Sequence, residues 1–210
     1  MNASAGQLLD VLERAREAGF LGPGAVESHL RHSAGFGLVV EDSLGQPPEN
    51  LADLGTGGGI PGLVLAVRWP QTRAVFIEAG HRRASALRAA VADLGMDDRA
   101  EVIEDRAETV GADGPLRERF DVVTARSFAP PAPTAEIAAG IVRIGGALIV
   151  SEPPEADGRR WPAERLQELG FGSAEEIEVA AGHFVVIRKM TQSPERYPRP
   201  VGRPNKRPLW

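Results

Sequence analysis

"LADLGTGGGIPG", residues 51–62, places five glycines directly after a short apolar run that contains Asp53. The apolar run is typical of a strand, and Pro61 is typical of the first turn of a helix. Glycines this dense between a strand and a helix predict a loop whose backbone closely approaches a ligand. The alternative is a tight turn that binds nothing, for which one or two glycines would suffice.

Outward from this loop, predicted strands and helices alternate along the chain. The strands lie at residues 51–54, 73–79, 100–104, 120–125, 146–152, 175–180 and 183–189. The helices lie at residues 4–19, 24–33, 61–69, 82–94, 134–144 and 163–169. This alternation predicts an α/β fold with a doubly wound, mostly parallel seven-stranded sheet. Because only a short turn joins the last two strands, we expect them to form a C-terminal antiparallel hairpin.

Three segments follow from this pattern. Residues 1–49 form an N-terminal helical segment that ends in the polar linker 43–50, residues 50–190 form the α/β domain, and residues 191–210 form a tail. Five prolines in the tail, at 194, 198, 200, 204 and 208, predict an extended chain without a helix.

Composition excludes several kinds of site. The chain has no cysteine, which excludes disulfides, thiolate metal sites and cysteine nucleophiles. His29 and His32 have the spacing of one helix face, but no third ligand is near them, so no metal is expected. The sequence shows neither a stretch of 18 apolar residues nor a signal-peptide pattern, so we expect a cytoplasmic protein without a membrane partner.

Charge is distributed unevenly along the chain. Residues 188–210 contain seven basic residues and one acidic residue, a net charge of +6, whereas the whole chain carries −5. The preceding 187 residues therefore carry −11. The net charge argues against a general nucleic-acid binder, and we expect no DNA partner. The distribution is more informative, because it shows an acidic body with a basic, proline-rich tail.

Of two acidic residues near the glycine loop, one discriminates between its possible ligands. Gly57, Gly59 and Gly62 satisfy the dinucleotide pattern G-x-G-x-x-G, so a nicotinamide or flavin cofactor has to be considered. Glu78 follows the next strand and could bind ribose hydroxyls of either NAD or S-adenosylmethionine. Asp53 would repel a pyrophosphate but attract the sulfonium and ammonium of S-adenosylmethionine, so it favours the latter.

Longer motifs make the sequence resemble a known family. "DLGTGGGIPGLVLA", "IEAGHRRASALRAA", "DRAET", "FDVVTARSFA" and the tail "RYPRPVGRPNKRPL" occur in the order and spacing of the bacterial glucose-inhibited division protein B family. Members are RsmG-type methyltransferases of 16S ribosomal RNA with a Rossmann-like, class I S-adenosylmethionine methyltransferase fold. The resemblance implies S-adenosylmethionine as cofactor, guanine N7 as methyl acceptor, and ribosomal RNA or the small ribosomal subunit as partner.

The resemblance also implies roles for individual residues. The cofactor-binding residues would be Asp53, Gly55, Gly57, Gly59, Ile60, Glu78, Ala107, Glu108 and Arg126. Asp53 would face the cationic end of the cofactor, Glu78 its ribose, and Ala107 and Glu108 its adenine. Arg126 would lie at the mouth of the site and position substrate or cofactor. Phe128 would stack on an extruded base, or alternatively it is a core aromatic.

The implied chemistry needs alignment more than acid–base catalysis. Transfer of a methyl group from a sulfonium is an in-line displacement, and guanine N7 already offers a lone pair, so no catalytic base is expected. Other interpretations remain open: a methyltransferase of a small molecule or protein, a ribosome-associated binding protein without catalysis, or an NAD-dependent enzyme.

The basic tail has two interpretations. Its cations, together with Tyr197 and Trp210, could lie along RNA phosphates near the mouth of the site. Alternatively, it wraps the domain and covers a sheet edge or a neighbouring subunit. We expect the protein to be a monomer.

Overall fold

A mostly parallel sheet forms the centre of the structure, a computed structural model that describes residues 5–154 and 158–210. The described strands are β1 (Asn50–Leu54), β2 (Arg73–Ile77), β3 (Ala100–Ile103), β4 (Phe120–Ala125), β5 (Val142–Glu152), β6 (Phe171–Val179) and β7 (Gly182–Lys189). Their order in the sheet is β3-β2-β1-β4-β5-β7-β6. The first five strands are parallel, and β7 is antiparallel to both β5 and β6. The predicted fold class is confirmed.

Helices cover both faces of this sheet. They are α1 (Ala5–Glu17), α2 (Val26–Leu44), α3 (Gly62–Arg68), α4 (His81–Asp93), α5 (Ala107–Ala112), α6 (Pro131–Ala139), α7 (Ala163–Glu168) and α8 (Arg203–Lys206). The first four pack on one face and α5 to α7 on the other, so the core has two halves. Burial on both faces explains why the central strands are apolar without alternation. In β1, Leu51 points into the first half and Ala52 into the second.

Two predicted helices had the wrong extent. The second helix was expected to end at Ser33, but α2 continues to Leu44 and ends at Gly45, whose φ of 71° is left-handed. The helix expected at 134–144 lies at Pro131–Ala139, because prolines are tolerated in a first helical turn. Residues 142–144 belong to β5. Residue 4 of the predicted first helix lies outside the described residues.

The tail packs on the domain, and the prediction of a tail without any helix was wrong. Pro204 lies in the first turn of α8, where its missing N–H leaves no helical hydrogen bond unmade. Tyr197 is buried in the second half of the core, and Leu209 and Trp210 pack against it. Of the two interpretations of the tail, wrapping around the domain is confirmed. Among the described residues, no helix has the length and apolarity that crossing a bilayer requires.

Candidate active site

The glycine loop lies at the carboxyl ends of the parallel strands, between β1 and α3. Gly55, Gly57 and Gly59 have φ values of 62°, 60° and 106°, which side chains other than glycine rarely adopt. A Cβ added at Gly55 would lie 2.8 Å from Cδ2 of Phe128, so this glycine also admits the aromatic ring. A Cβ added at Gly57 would be in ordinary contact with the carbonyl oxygen of Phe20 at 3.6 Å, so the positive φ, not lack of space, is what favours glycine there. We call Gly55, Gly57 and Gly59 the glycine cradle. A tight turn alone would not require three such glycines, and the form of the cradle suits a cofactor that lies against backbone.

Asp53 binds the end of this loop from its buried side. Its side chain is buried, with one carboxylate oxygen accepting from the N–H of Gly62 at 3.1 Å and the other from the hydroxyl of Thr124 at 2.7 Å. Burial raises the pKa of Asp53 to about 7, although these hydrogen bonds and the charge of Arg126 oppose the rise. Asp53 therefore lies behind the loop with both oxygens already engaged, and its effect on a ligand would be electrostatic.

Glu78, at the end of the neighbouring strand β2, also binds this loop. Its carboxylate is buried and accepts hydrogen bonds from the N–H groups of Gly57 at 3.0 Å and Gly80 at 2.7 Å. Arg83 donates to it at 2.8 Å. Each carboxylate oxygen can accept more than one hydrogen bond, so the role in ribose binding stays a prediction that this geometry permits.

The predicted adenine contacts, Ala107 and Glu108, begin α5 after the third strand. Ala107 packs in the second half of the core. Glu108 is buried and accepts from the N–H of Gly202 at 3.1 Å and from Arg106 at 3.2 Å. Burial alone would raise the pKa of Glu108, but the hydrogen bonds, including one from its own backbone, lower it below its ordinary value. This corner of the site is thus joined to the tail.

Arg126 follows β4 and meets the N-terminal helices. Its Nη2 lies 3.0 Å from Nδ1 of His29, whose Nε2 lies 3.1 Å from the carbonyl oxygen of Gly22. Since a carbonyl only accepts, Nε2 carries the proton and Nδ1 accepts from Arg126. Burial lowers the pKa of Arg126, which the charge of Asp53 opposes, and its buried Nη1 has no partner among the described residues. An unpaired guanidinium nitrogen is suited to an incoming acceptor.

A cleft of about 360 Å³ opens beside Arg126 at the ends of β4 and β5. Phe128 lines it and packs partly against the second half of the core, and its stacking on a base stays a prediction. His32 lines it as well; burial, together with the charge of Arg126, lowers the pKa of His32 to about 4. His32 is therefore neutral at physiological pH.

The structure brings most of the predicted residues to one edge of the sheet. Ile60 belongs to the glycine loop as well, and its side chain packs partly against the first half of the core. Sequence reasoning missed Thr124, His29 and the connector between α1 and α2. Leu21 of that connector packs directly on the glycine loop, because a Cβ added at Gly58 would clash with Cδ2 of Leu21. Sequence reasoning considered His29 only as half of a metal pair with His32.

Comparison with known proteins identifies the family. The sequence model of GidB, described as rRNA small subunit methyltransferase G, matches residues 25–152. The chain belongs to this family. Ribosomal RNA small subunit methyltransferase G of Pelotomaculum thermopropionicum is 37% identical over 76% of this chain and 70% of its own length. The protein of the same name from Roseiflexus castenholzii is 37% identical over 80% and 74%. The predicted resemblance is confirmed.

Solved structures support the same fold at lower identity. The O-methyltransferase from Bacillus cereus in complex with SAH superposes with a TM-score of 0.58 and is 17% identical, over 88% of this chain and 90% of that one. At this identity the likeness establishes the shared fold alone.

Proposed function

We propose that this member of the family transfers a methyl group from S-adenosylmethionine to N7 of a guanine in small-subunit ribosomal RNA, working in the cytoplasm. One observation carries the proposal: the glycine cradle opens at the same sheet edge as the cleft beside Arg126 and Phe128. A cofactor on the cradle and a base in the cleft would then be neighbours, which transfer between them requires.

The chain's residues fit S-adenosylmethionine. Gly55, Gly57 and Gly59 would hold its methionine part, with Glu78 at the ribose and Ala107 and Glu108 at the adenine. When bound, the cofactor would supply a sulfonium methyl group for in-line displacement by the lone pair of N7, with S-adenosylhomocysteine as the leaving group. Because that lone pair is free, the chain needs to remove no proton.

Arg126 and Phe128 would position the two reactants. The free Nη1 of Arg126 would donate to an acceptor of the cofactor or of the base, and His29 holds the guanidinium in place for it. Phe128, fixed against Gly55, would present its ring to an extruded base.

The test is mass mapping of small-subunit ribosomal RNA from a strain that lacks the enzyme, complemented with this chain. A new N7-methylguanosine that depends on the chain supports the proposal. Binding of S-adenosylmethionine without any methylated product would indicate a binding protein, and binding of NAD instead would overturn the cofactor. Arg126→Ala serves as the site control: its melting temperature should stay near wild type while methylation falls at least tenfold.

A further inference from the structure

The seven basic residues of the region 188–210 divide into two groups. Four are engaged by the fold: Arg188 donates to the carbonyl of Ser43, Lys189 is buried against Glu118, Arg196 lies over the ring of Tyr197, and Arg199 pairs with Glu136. The remaining three are exposed, and none of them forms an ion pair in the described parts of the chain: Arg203, Lys206 and Arg207. We call these three residues the tail rim.

Two hydrogen bonds place the tail rim along the candidate active site. At one end, the N–H of Gly202 donates to Glu108, which begins α5 at the predicted adenine corner. At the other end, Nε1 of Trp210 donates to the carbonyl of Arg160, a residue that lines the cleft. The eight peptide units between these anchors span at most about 27 Å, so the tail rim lies between the predicted cofactor site and the cleft.

Two further arginines lie beside this border. Arg106 and Arg160 flank the two anchors and are partly exposed, whereas their carboxylate partners, Glu108 and Glu152, are nearly inaccessible. A surface that presents unpaired cations beside a base-sized cleft suits a polyanion whose base enters the cleft.

We propose that the tail rim binds phosphates of the ribosomal RNA strand on either side of the methylated base. This inference rests on the proposed function and adds the surface that holds the substrate. The acidic body would repel RNA elsewhere. Glu136 binds Arg199 and Glu118 binds the N–H of Ser193, so these contacts hold the tail, and with it the three unpaired cations, in a fixed position. Fixed cations contact phosphates at a lower entropic cost than cations on a loose tail.

The test compares two variants with equal charge change. In the rim variant, Arg203, Lys206 and Arg207 are replaced by glutamine; in the control variant, Arg73, Arg119 and Arg188 are replaced by glutamine. The control residues are exposed and line a cavity at the opposite edge of the sheet, where the parallel strands begin. Binding to a small-subunit ribosomal RNA fragment is measured over a series of salt concentrations, together with the melting temperature and the affinity for S-adenosylmethionine.

We expect the rim variant to lose three phosphate contacts, so the slope of log affinity against log salt should become shallower by about 2 to 3. The control variant should keep the wild-type slope, and both should keep their melting temperature and cofactor affinity. An unchanged slope in the rim variant, or an equal loss in both variants, overturns the inference. If the wild type methylates the RNA in that case, the proposed function stands without it; if the wild type neither binds nor methylates RNA, both fail.

Discussion

At the scale of single residues, ionisation of Asp53 lowers the stability of the fold but favours binding of a positively charged ligand. Because its pKa is raised to about 7, the native protein binds a proton there that the unfolded chain releases near pH 4. The sign follows from linkage: stability falls as pH rises from about 4 to 7 and is constant above that, at a total cost of about 4 kcal/mol. A positively charged ligand beside the ionised carboxylate would offset this cost.

Asp53→Asn should therefore stabilise the ligand-free protein while weakening the binding of the cofactor. The amide keeps an acceptor for Gly62 and a donor towards Thr124, whose hydroxyl can turn to the carbonyl of Ala52 at 3.4 Å. We expect the melting temperature of the variant to exceed that of wild type by a margin that grows between pH 4 and 7. Affinity for S-adenosylmethionine should fall by about 1.5–3 kcal/mol, as for a lost interaction with a charged group. Melting curves across pH and calorimetric titration check both, and a margin independent of pH would show that the pKa is ordinary.

His29 should act on the reaction through Arg126. His29→Asn keeps an acceptor near the position of Nδ1, whereas His29→Gln keeps only the donor towards Gly22. We expect the glutamine variant to lose about 10- to 100-fold in methylation, the equivalent of one hydrogen bond to a charged group, and the asparagine variant to lose much less. Steady-state kinetics on ribosomal RNA measure the difference. Equal activity in the two variants would mean that Arg126 is positioned by other contacts.

The sequence predicted those site residues that adjoin strand ends and missed those that depend on distant contacts. Gly55 and Glu78 could be found because parallel strands bring their carboxyl ends to one edge whatever the details of packing. The pair of His29 and Arg126 joins residues 97 positions apart, and no local pattern encodes such a contact. Likewise, Glu108 could be placed at the site, but its bond to Gly202 could not be foreseen.

At the scale of elements, α2 positions the N-terminal side of the cleft. The rings of Phe36 and Phe184 meet edge to face at 4.9 Å, and His32 packs against both, which fixes α2 on the hairpin of β6 and β7. The predicted end of this helix, Ser33, came too early because the glycines that follow it, Gly35 and Gly37, are poor helix formers. Close packing between distant parts of the chain explains the glycine at position 35, because a Cβ there would lie 2.7 Å from Cβ of Ala181.

These two glycines give a matched pair of substitutions. Gly35→Ala would drive α2 against Ala181 and the ring of Phe184, an overpacking that costs about 1–3 kcal/mol. Gly37→Ala would meet only the side chain of Arg68, which can move at the expense of an exposed pair with Glu41. Both gain about 1 kcal/mol of helix propensity. We expect Gly35→Ala to be less stable than Gly37→Ala by about 1–2 kcal/mol in urea unfolding. Equal midpoints would show that α2 shifts freely on the hairpin.

At the scale of the whole molecule, the tail is part of the fold. Truncation after Met190 would remove the buried Tyr197 from the second half of the core. It would also take Arg199 from Glu136 and one hydrogen bond each from Glu108 and Glu118. We therefore expect truncation to damage folding, so RNA binding by the tail has to be tested with substitutions on its exposed side.

The pair of Arg199 and Glu136 should account for much of the tail's attachment. Glu136 is fully buried and accepts from the backbone N–H of Arg199 at 2.9 Å and from its Nε at 2.8 Å. Arg199→Met would leave a buried carboxylate without its countercharge, which costs about 3–5 kcal/mol. The double change Arg199→Met with Glu136→Leu should recover most of that loss, because the burial penalty disappears with the charge. Arg196→Met, which removes only an exposed contact with Tyr197, should change stability by about 1 kcal/mol or less. Urea unfolding of the four proteins measures these differences, and a double variant as unstable as Arg199→Met would show that shape, not charge, fixes the tail.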